Sequence, residues 1–328
     1  MALLEVEDLR VSFPGPGSAP VRAVNGVSLA LEPGRTLAIL GESGSGKSVT
    51  AQAVMGILDA PPAQVSGSVR LRGRELLTLP AKQRDKVSGE EIGMVFQDAM
   101  AALNPVYTVG EQLSELLRVR RGLSRSDARR RAVELVDRVR IPAARDRVRD
   151  YPHQFSGGMR QRIMIALAIA LEPAVLIADE PTTALDVTVQ AQVMGLIAEI
   201  QRDSGMALLL ITHDLGVVAE VADDVAVMYA GRLVERATVE QVFGGPAHPY
   251  TEGLLASMPR VDRRDEELYA IPGAPPNPAR LPAGCPFHLR CPRADDTCRS
   301  TLPPLSPLPH GRASACHHRE ELLHVSHR

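Results

Sequence analysis

The chain has 328 residues, 45% of them hydrophobic, which exceeds the usual size of one domain and suffices for a substantial core. Its formal net charge of −2 gives no global argument for nucleic-acid binding, which usually shows as a basic domain. No apolar run approaches the roughly 20 residues that span a bilayer, and the opening MALLEVEDL is acidic, unlike a signal peptide, so a soluble cytoplasmic chain is expected.

Leu3 to Phe13 alternates as a strand does, PGPGSAP makes a loop, and Gly26 to Leu31 gives a second strand ending at Pro33-Gly34. Together they predict an antiparallel flap. Thr36 to Leu40 is a short apolar run readable as a buried strand, and Val49 to Leu58 is helix-compatible up to Pro61. Between them Gly41 to Ser48 reads GESGSGKS, a full match to the phosphate-loop pattern G-x-x-x-x-G-K-S/T in the strand, loop, helix context it requires. The N–H groups of Gly44, Gly46 and Lys47 are expected to face phosphate oxygens at a helix N-terminus, where the dipole favours negative charge. Lys47 would reach the β- and γ-phosphates and Ser48 would ligate Mg²⁺, with Gly41, Ser43, Ser45 and Val49 completing the cradle.

Gly67 to Leu71 and Ile92 to Phe96 read as further strands, the second followed by Gln97, an amide suited to sensing both metal and water but unremarkable on its own. Thr108 to Glu111 has capping-box spacing and opens a helical stretch; another runs from about Ser126 to Arg140 and stops at Pro142. Residues 98 to 170 therefore form an expected helical insertion. Between Arg118 and Arg149 it carries twelve arginines against four acids, read from sequence as a solvated basic face. Ala174 to Ala178, Ala207 to Ile211 and Asp224 to Met228 are short apolar strands separated by helix-length segments, the pattern of a mostly parallel α/β core. Asp179 and Glu180 end the first of these: Asp179 would hold Mg²⁺ through a water, and Glu180 would polarise the water attacking the γ-phosphate. His213 follows ALLLIT at the same carboxyl edge of the sheet, and its placement fits either a site or a surface histidine.

After Tyr269 the Pro/Gly-rich run IPGAPPNPARLPAG predicts little regular structure. Cys285, Cys291, Cys298 and Cys316 are spaced C-x5-C-x6-C-x17-C. The absence of a C-x-x-C pair disfavours the common zinc patterns. Four thiolates can bind an iron–sulfur cluster; His310, His317, His318, His324 and His327 keep zinc open, and unligated thiols are the third reading.

Phe155 to Arg162, FSGGMRQR, resembles the LSGGQ-type signature of ATP-binding cassette (ABC) proteins and lies 23 residues before Asp179, the order that family shows. Phe13 matches the aromatic that stacks on adenine, Gln97 the Q-loop, Ala184-Leu185-Asp186 the D-loop and His213 the switch histidine. Ala247-His248-Pro249-Tyr250-Thr251, GCPFHLRCP at Gly284 to Pro292 and Leu103-Asn104-Pro105 resemble the ATPases of oligopeptide and dipeptide permeases. The resemblance implies a P-loop NTPase of the ABC type: an α/β core with an antiparallel β subdomain and inserted helical subdomain over residues 1–245, then an irregular C-terminal extension over 246–328. It implies ATP and Mg²⁺, with Ser48, Gln97 and Asp179 on the metal, and a 4Fe-4S cluster on the four cysteines. Ser156, Gly157 and Gly158 would act across an interface on nucleotide held by a second ABC ATPase subunit, a homologue in preference to a second copy.

The implied partners are two transmembrane permease subunits received by the helical insertion, and through them an extracytoplasmic solute-binding protein. No nucleic acid is implied. The chain would sit at the cytoplasmic face of the cell membrane and energise import of di- or oligopeptides, with nickel or another small solute as alternative cargo. The reading from another class, a non-transport cassette ATPase acting on ribosomes or DNA, predicts tandem cassettes or a long coiled coil, and the chain shows neither.

Overall fold

Leu4–Phe13 keeps Leu4, Val6, Leu9 and Val11 buried while Glu7, Asp8 and Arg10 face water; the buried set changes parity where the pairing register shifts between Glu7 and Arg10, so a bulge keeps one face covered along the whole strand. The computed structural model describes residues 2–15, 20–58, 61–183, 185–258 and 269–325; part of the PGPGSAP loop, Ala184, Pro259, His327 and the side chain of His324 lie outside the described part. The chain forms two compact units. One comprises Met1–Leu3, Leu31–Arg35 and Thr78–Ile211; the other comprises Leu4–Ala30, Thr36–Leu77 and Thr212–Arg328.

In the second unit, Val21–Leu31, Leu4–Phe13, Gln64–Leu71 and Arg74–Glu75 lie in that order in one sheet. The pairs Leu4–Phe13 with Gln64–Leu71 and Gln64–Leu71 with Arg74–Glu75 are antiparallel, which gives the expected flap. Its second strand starts five residues earlier than predicted, at Val21. A further run of strands has the order Ser306–Pro307, Ala313–Ser314, Arg232–Thr238, Asp224–Tyr229, Thr36–Leu40. Thr36–Leu40 is parallel to Asp224–Tyr229, which turns back through Ala230 and Gly231, both at positive φ, into antiparallel Arg232–Thr238. Positive φ at both central residues is the twist a tight hairpin needs. The tail thus adds two short strands to a sheet edge and covers it. Tyr250 and Phe287 join Leu40, Val225, Val227 and Tyr229 in one buried cluster. Burying such a side chain contributes about 1.5–3 kcal/mol, so core packing anchors the tail.

In the first unit, Ile92–Val95, Val175–Asp179 and Ala207–Ile211 are parallel and buried at every position. Strands covered on both faces read as continuous apolar runs for that reason. Val109–Arg121 begins at the predicted box, with Thr108 Oγ1 accepting from the Glu111 N–H at 3.2 Å and Glu111 Oε2 accepting from the Thr108 N–H at 2.8 Å. Arg125–Arg138 follows, capped by Ser124. Leu113 and Leu117 of the first helix and Ala128, Ala132 and Leu135 of the second are buried, the three- and four-residue spacing of facing stripes. Among the described residues no helix is long and apolar enough to cross a membrane.

Candidate functional site

The phosphate loop is shaped by close backbone approach. Gly41 takes φ 153° and Gly46 φ 103°; a Cβ on Gly41 would lie 2.3 Å from the Met228 carbonyl oxygen, and one on Gly46 2.4 Å from that of Ala23. No side chain fits there. Gly44 meets no heavy atom within 4 Å at the equivalent point, so the loop is open at its tip. Lys47 begins the helix Lys47–Met55, with Ser48 and Val49 half-buried after it. The Lys47 side chain is buried, and its ammonium donates to the carbonyls of Gly41 at 2.8 Å and Glu42 at 3.0 Å. The Ser45 carbonyl accepts from the Gly231 N–H at 2.9 Å, and Ser43 is exposed. Phe13 ends its strand half-buried, and His213 is exposed just before Asp214, whose carboxylate caps Leu215–Val221. All of these belong to the second unit.

The first unit brings together the carboxylate pair and Gln97. Asp179 is the buried last residue of its strand. Glu180 follows at φ 46° with its N–H donating to the Ile211 carbonyl at 2.8 Å. A non-glycine residue there stores about 1–3 kcal/mol of strain, typical of functional sites. Its Oε2 accepts from Gln97 Nε2 at 3.0 Å and from the Thr183 hydroxyl at 2.9 Å. Two neutral donors therefore aim the carboxylate.

Ser156 caps the helix Gly157–Ile169, its hydroxyl accepting from the Met159 N–H at 3.4 Å, and Ser156 and Gly157 are exposed. Beneath it Phe155 is buried under the Arg147 guanidinium, 4.6 Å from the ring centre. A Cβ on Gly158 would lie 2.5 Å from Val189 Cγ1, so that glycine lets the signature helix pack on Val187–Ser204. Asp186 caps the latter helix through the Val189 N–H at 3.0 Å; Ser156 and Asp186 are exposed and Gly158 is half-buried where the two helices meet.

Residues 24–183 match the ABC transporter family, and residues 234–298 match the family described as oligopeptide/dipeptide transporter, C-terminal region. The chain is 52% identical over 322 residues to the oligopeptide transport ATP-binding protein OppD of Salmonella typhimurium, covering 98% of this chain and 95% of that one. It is 50% identical over 314 residues to OppD of Haemophilus influenzae, with 96% of each chain covered. The chain belongs to the ABC transporter ATPases of the oligopeptide/dipeptide family. Among solved structures, a dimeric ATP-binding cassette bound to ADP and Pi superposes with a TM-score of 0.64 at 26% identity over 72% of this chain and 98% of that one. The cassette cbiO1 of Clostridium perfringens, part of the ABC transporter complex cbiONQ, gives 0.63 at 30% identity over 74% of this chain and 90% of that one.

In this ABC ATPase the four cysteines line one small cavity with His248, Phe287 and His288. Cys298 and Cys316 are buried, Cys285 and Cys291 half-buried, and none is in a disulfide. Burial first, and the neighbouring thiols after it, push Cys285 up to about 11 and Cys316 up to about 12. Burial holds His248 down at about 3, so it is neutral, and its Nδ1 accepts from the Tyr250 N–H at 3.0 Å. All four cysteines are described residues, and no three of their sulfurs lie within 4.8 Å of one another; the set that meets that limit among the described residues is Asp295, Cys298 and His318.

Sequence reasoning missed several residues that hold the site. Thr183 has no pattern signal beyond its place three residues after Glu180. Glu42 reads as a variable position of the loop, yet Arg290 grips its carboxylate from the tail at 2.7 and 2.9 Å. In the arginine-rich insertion, exposed Arg118, Arg125, Arg129, Arg145 and Arg149 line an open groove with Tyr107 and Glu111.

Proposed function

We propose that the chain binds MgATP at Gly41–Val49, with Phe13 on adenine, and hydrolyses it to drive import of di- or oligopeptides. The observation that carries the catalytic part is Glu180, whose carboxylate is aimed by Gln97 and Thr183 at the end of a buried strand. An acceptor so placed polarises a water for attack on the γ-phosphate. Lys47 meets the β- and γ-phosphates, and His213 acts on the attacking water or the γ-phosphate. Ser48, Asp179 and the Oε1 end of Gln97 are hard oxygen donors of the kind Mg²⁺ prefers. The Nε2 of Gln97 is committed to Glu180, so Oε1 is the end turned to a cation. The ion would neutralise charge on the phosphates.

In this reading residues 1–245 are the nucleotide-binding domain, residues 98–170 its helical insertion, and 246–328 the extension. Ser156, Gly157, Gly158 and Asp186 act across a dimer of cassettes, the helix N-terminus meeting the nucleotide of the partner. The arginine-lined groove receives a segment of a transmembrane permease subunit at the cytoplasmic face of the membrane. The relatives' names supply the peptide cargo, with nickel as the alternative, and an external binding protein selects it. Purification of the tagged chain from its own membranes should bring down two multispanning subunits and a second ATPase. Ribosomal proteins or DNA in their place would overturn the transport reading.

For the tail, a 4Fe-4S cluster suits four thiols that converge on one cavity yet stand too far apart for one ion, since Zn–S bonds of about 2.3 Å hold four sulfurs much closer. The cluster would cross-link a Pro-rich segment. Anaerobically purified protein is expected to be brown with about four irons per chain. Binding must displace protons from thiols that burial holds protonated, so affinity should rise with pH. Colourless protein with stoichiometric zinc would contradict this assignment.

A further inference from the structure

Arg290 lies between Phe287 and Cys291 in a tight turn, with its N–H donating to the Phe287 carbonyl at 2.9 Å and that of His288 donating to the Cys285 carbonyl at 3.0 Å. Its side chain is only 5% exposed, and its donors are engaged on every side. Nη1 reaches Glu42 Oε2 at 2.7 Å and the Tyr229 hydroxyl at 3.3 Å; Nη2 reaches Glu42 Oε1 at 2.9 Å; Nε reaches the Pro272 carbonyl at 3.0 Å. This is a two-pronged, charge-assisted pair, a geometry lysine cannot reproduce.

Its partner Glu42 is the second residue of the phosphate loop, and each of its polar groups is held. The N–H donates to the Tyr250 hydroxyl at 2.8 Å, and the carbonyl accepts from Lys47 Nζ at 3.0 Å and from the Ser45 N–H at 3.2 Å. Tyr250 packs on Tyr229 and Phe287, with ring centres 4.6 and 5.4 Å away. Pro275, Pro276 and Pro278 share a small cavity with Glu42, Ser43 and Gly44. The tail therefore meets the loop through a salt bridge, a hydroxyl and a proline wall, and the salt bridge is carried by the residue just before Cys291.

We propose that Arg290 is a positioning residue of the phosphate loop: through Glu42 it sets the carbonyl to which Lys47 is tethered, so that the cysteine turn of the tail governs how tightly nucleotide is held. The proposal rests on the ATP-binding reading above. Loss of the fork to this half-buried carboxylate lets Glu42 turn to water, and the Lys47 ammonium loses a fixed carbonyl that orients it before phosphate arrives.

The test is the affinity of the full chain for the magnesium complex of a non-hydrolysable ATP analogue, measured calorimetrically. Arg290→Met should raise Kd about 10- to 100-fold, the equivalent of one charged hydrogen bond, and steady-state KM should rise with it while kcat changes little. Glu42→Gln should do the same, and the double variant should be no worse than the poorer single one, because both remove one link. Arg312→Met is the structural control. Arg312, in the same extension, pairs with buried Glu235 of the strand Arg232–Thr238, 11% and 0% exposed, so its loss should lower the unfolding temperature yet leave Kd within about twofold, a change of a few tenths of the tenfold unit. If Arg290→Met does not fold, Glu42→Gln alone carries the test. An unchanged Kd in Arg290→Met, or in Glu42→Gln, overturns the proposal, as does an equal rise in Arg312→Met. Lys47→Ala separates the two claims: if it too binds the analogue normally, the ATP-site reading has failed; if it does not bind, only the role of Arg290 has.

Discussion

Replacing Glu180 by glutamine should lower steady-state ATP hydrolysis by about 10²–10⁴, the usual cost of removing a general base, while leaving MgATP affinity near normal. The amide is isosteric and its oxygen can still accept from Gln97 Nε2 and the Thr183 hydroxyl, which hold the carboxylate at 3.0 and 2.9 Å. Glutamine also meets the same backbone at φ 46° as glutamate, so the fold should be undisturbed. What it lacks is a site basic enough to draw a proton from water. Because Lys47, Ser48 and Asp179 are untouched, nucleotide stays bound and two cassettes should remain closed around it. Light scattering with MgATP should then show a dimer. Turnover within a few-fold of the native chain would remove Glu180 from its role.

Changing Ser156 to alanine should suppress hydrolysis by about 10²–10³, the cost of losing one donor that meets developing charge, with nucleotide binding by the isolated chain kept. The hydroxyl caps its helix, and loss of a cap of this kind costs about 0.5–2 kcal/mol locally, too little to unfold the unit. Gly158→Val would act more harshly, since even a Cβ there lies 2.5 Å from Val189 Cγ1. The decisive form mixes a Ser156→Ala subunit with a Lys47→Ala subunit, provided the chain pairs with itself. One composite site in such a mixed dimer has an intact phosphate loop facing an intact signature, and activity should return in part. Verified mixed dimers with no activity would argue that Ser156 serves its own chain's nucleotide.

Much of this site was legible because its chemistry is local in sequence. A strand, a glycine loop and a helix occupy consecutive residues from Thr36 to Met55, and the Thr108 box announces its helix within four residues. Glu180 was recognisable from its place beyond an apolar run. Its aim was not, because Gln97 reaches it across 83 positions. The tail was legible least. Strands of two residues, Ser306–Pro307 and Ala313–Ser314, are too short to show a period, and they exist because Arg232–Thr238 offers an edge to pair with. The Pro/Gly-rich composition predicts a loosely organised tail, but Tyr250 and Phe287 fill a core built by strands far upstream. Arg290 is the extreme case: its partner is 248 residues away, and no window of sequence contains both.

The seat of the extension on Arg232–Thr238 is also where burial alone cannot explain the residues present. Glu235 is fully buried, with Arg312 and the Ala247 N–H on one carboxylate oxygen, and burial raises its pKa despite them. Removing one partner of such a buried contact leaves the other uncompensated, which is why Arg312→Met should cost stability.

The most direct test of the central claim, that hydrolysis at Glu180 energises peptide import, is uptake of a labelled oligopeptide by cells whose only copy of this chain is native or Glu180→Gln at equal abundance. Uptake should fall to background in the variant while the complex still assembles in the membrane; uptake at the native rate would contradict the account.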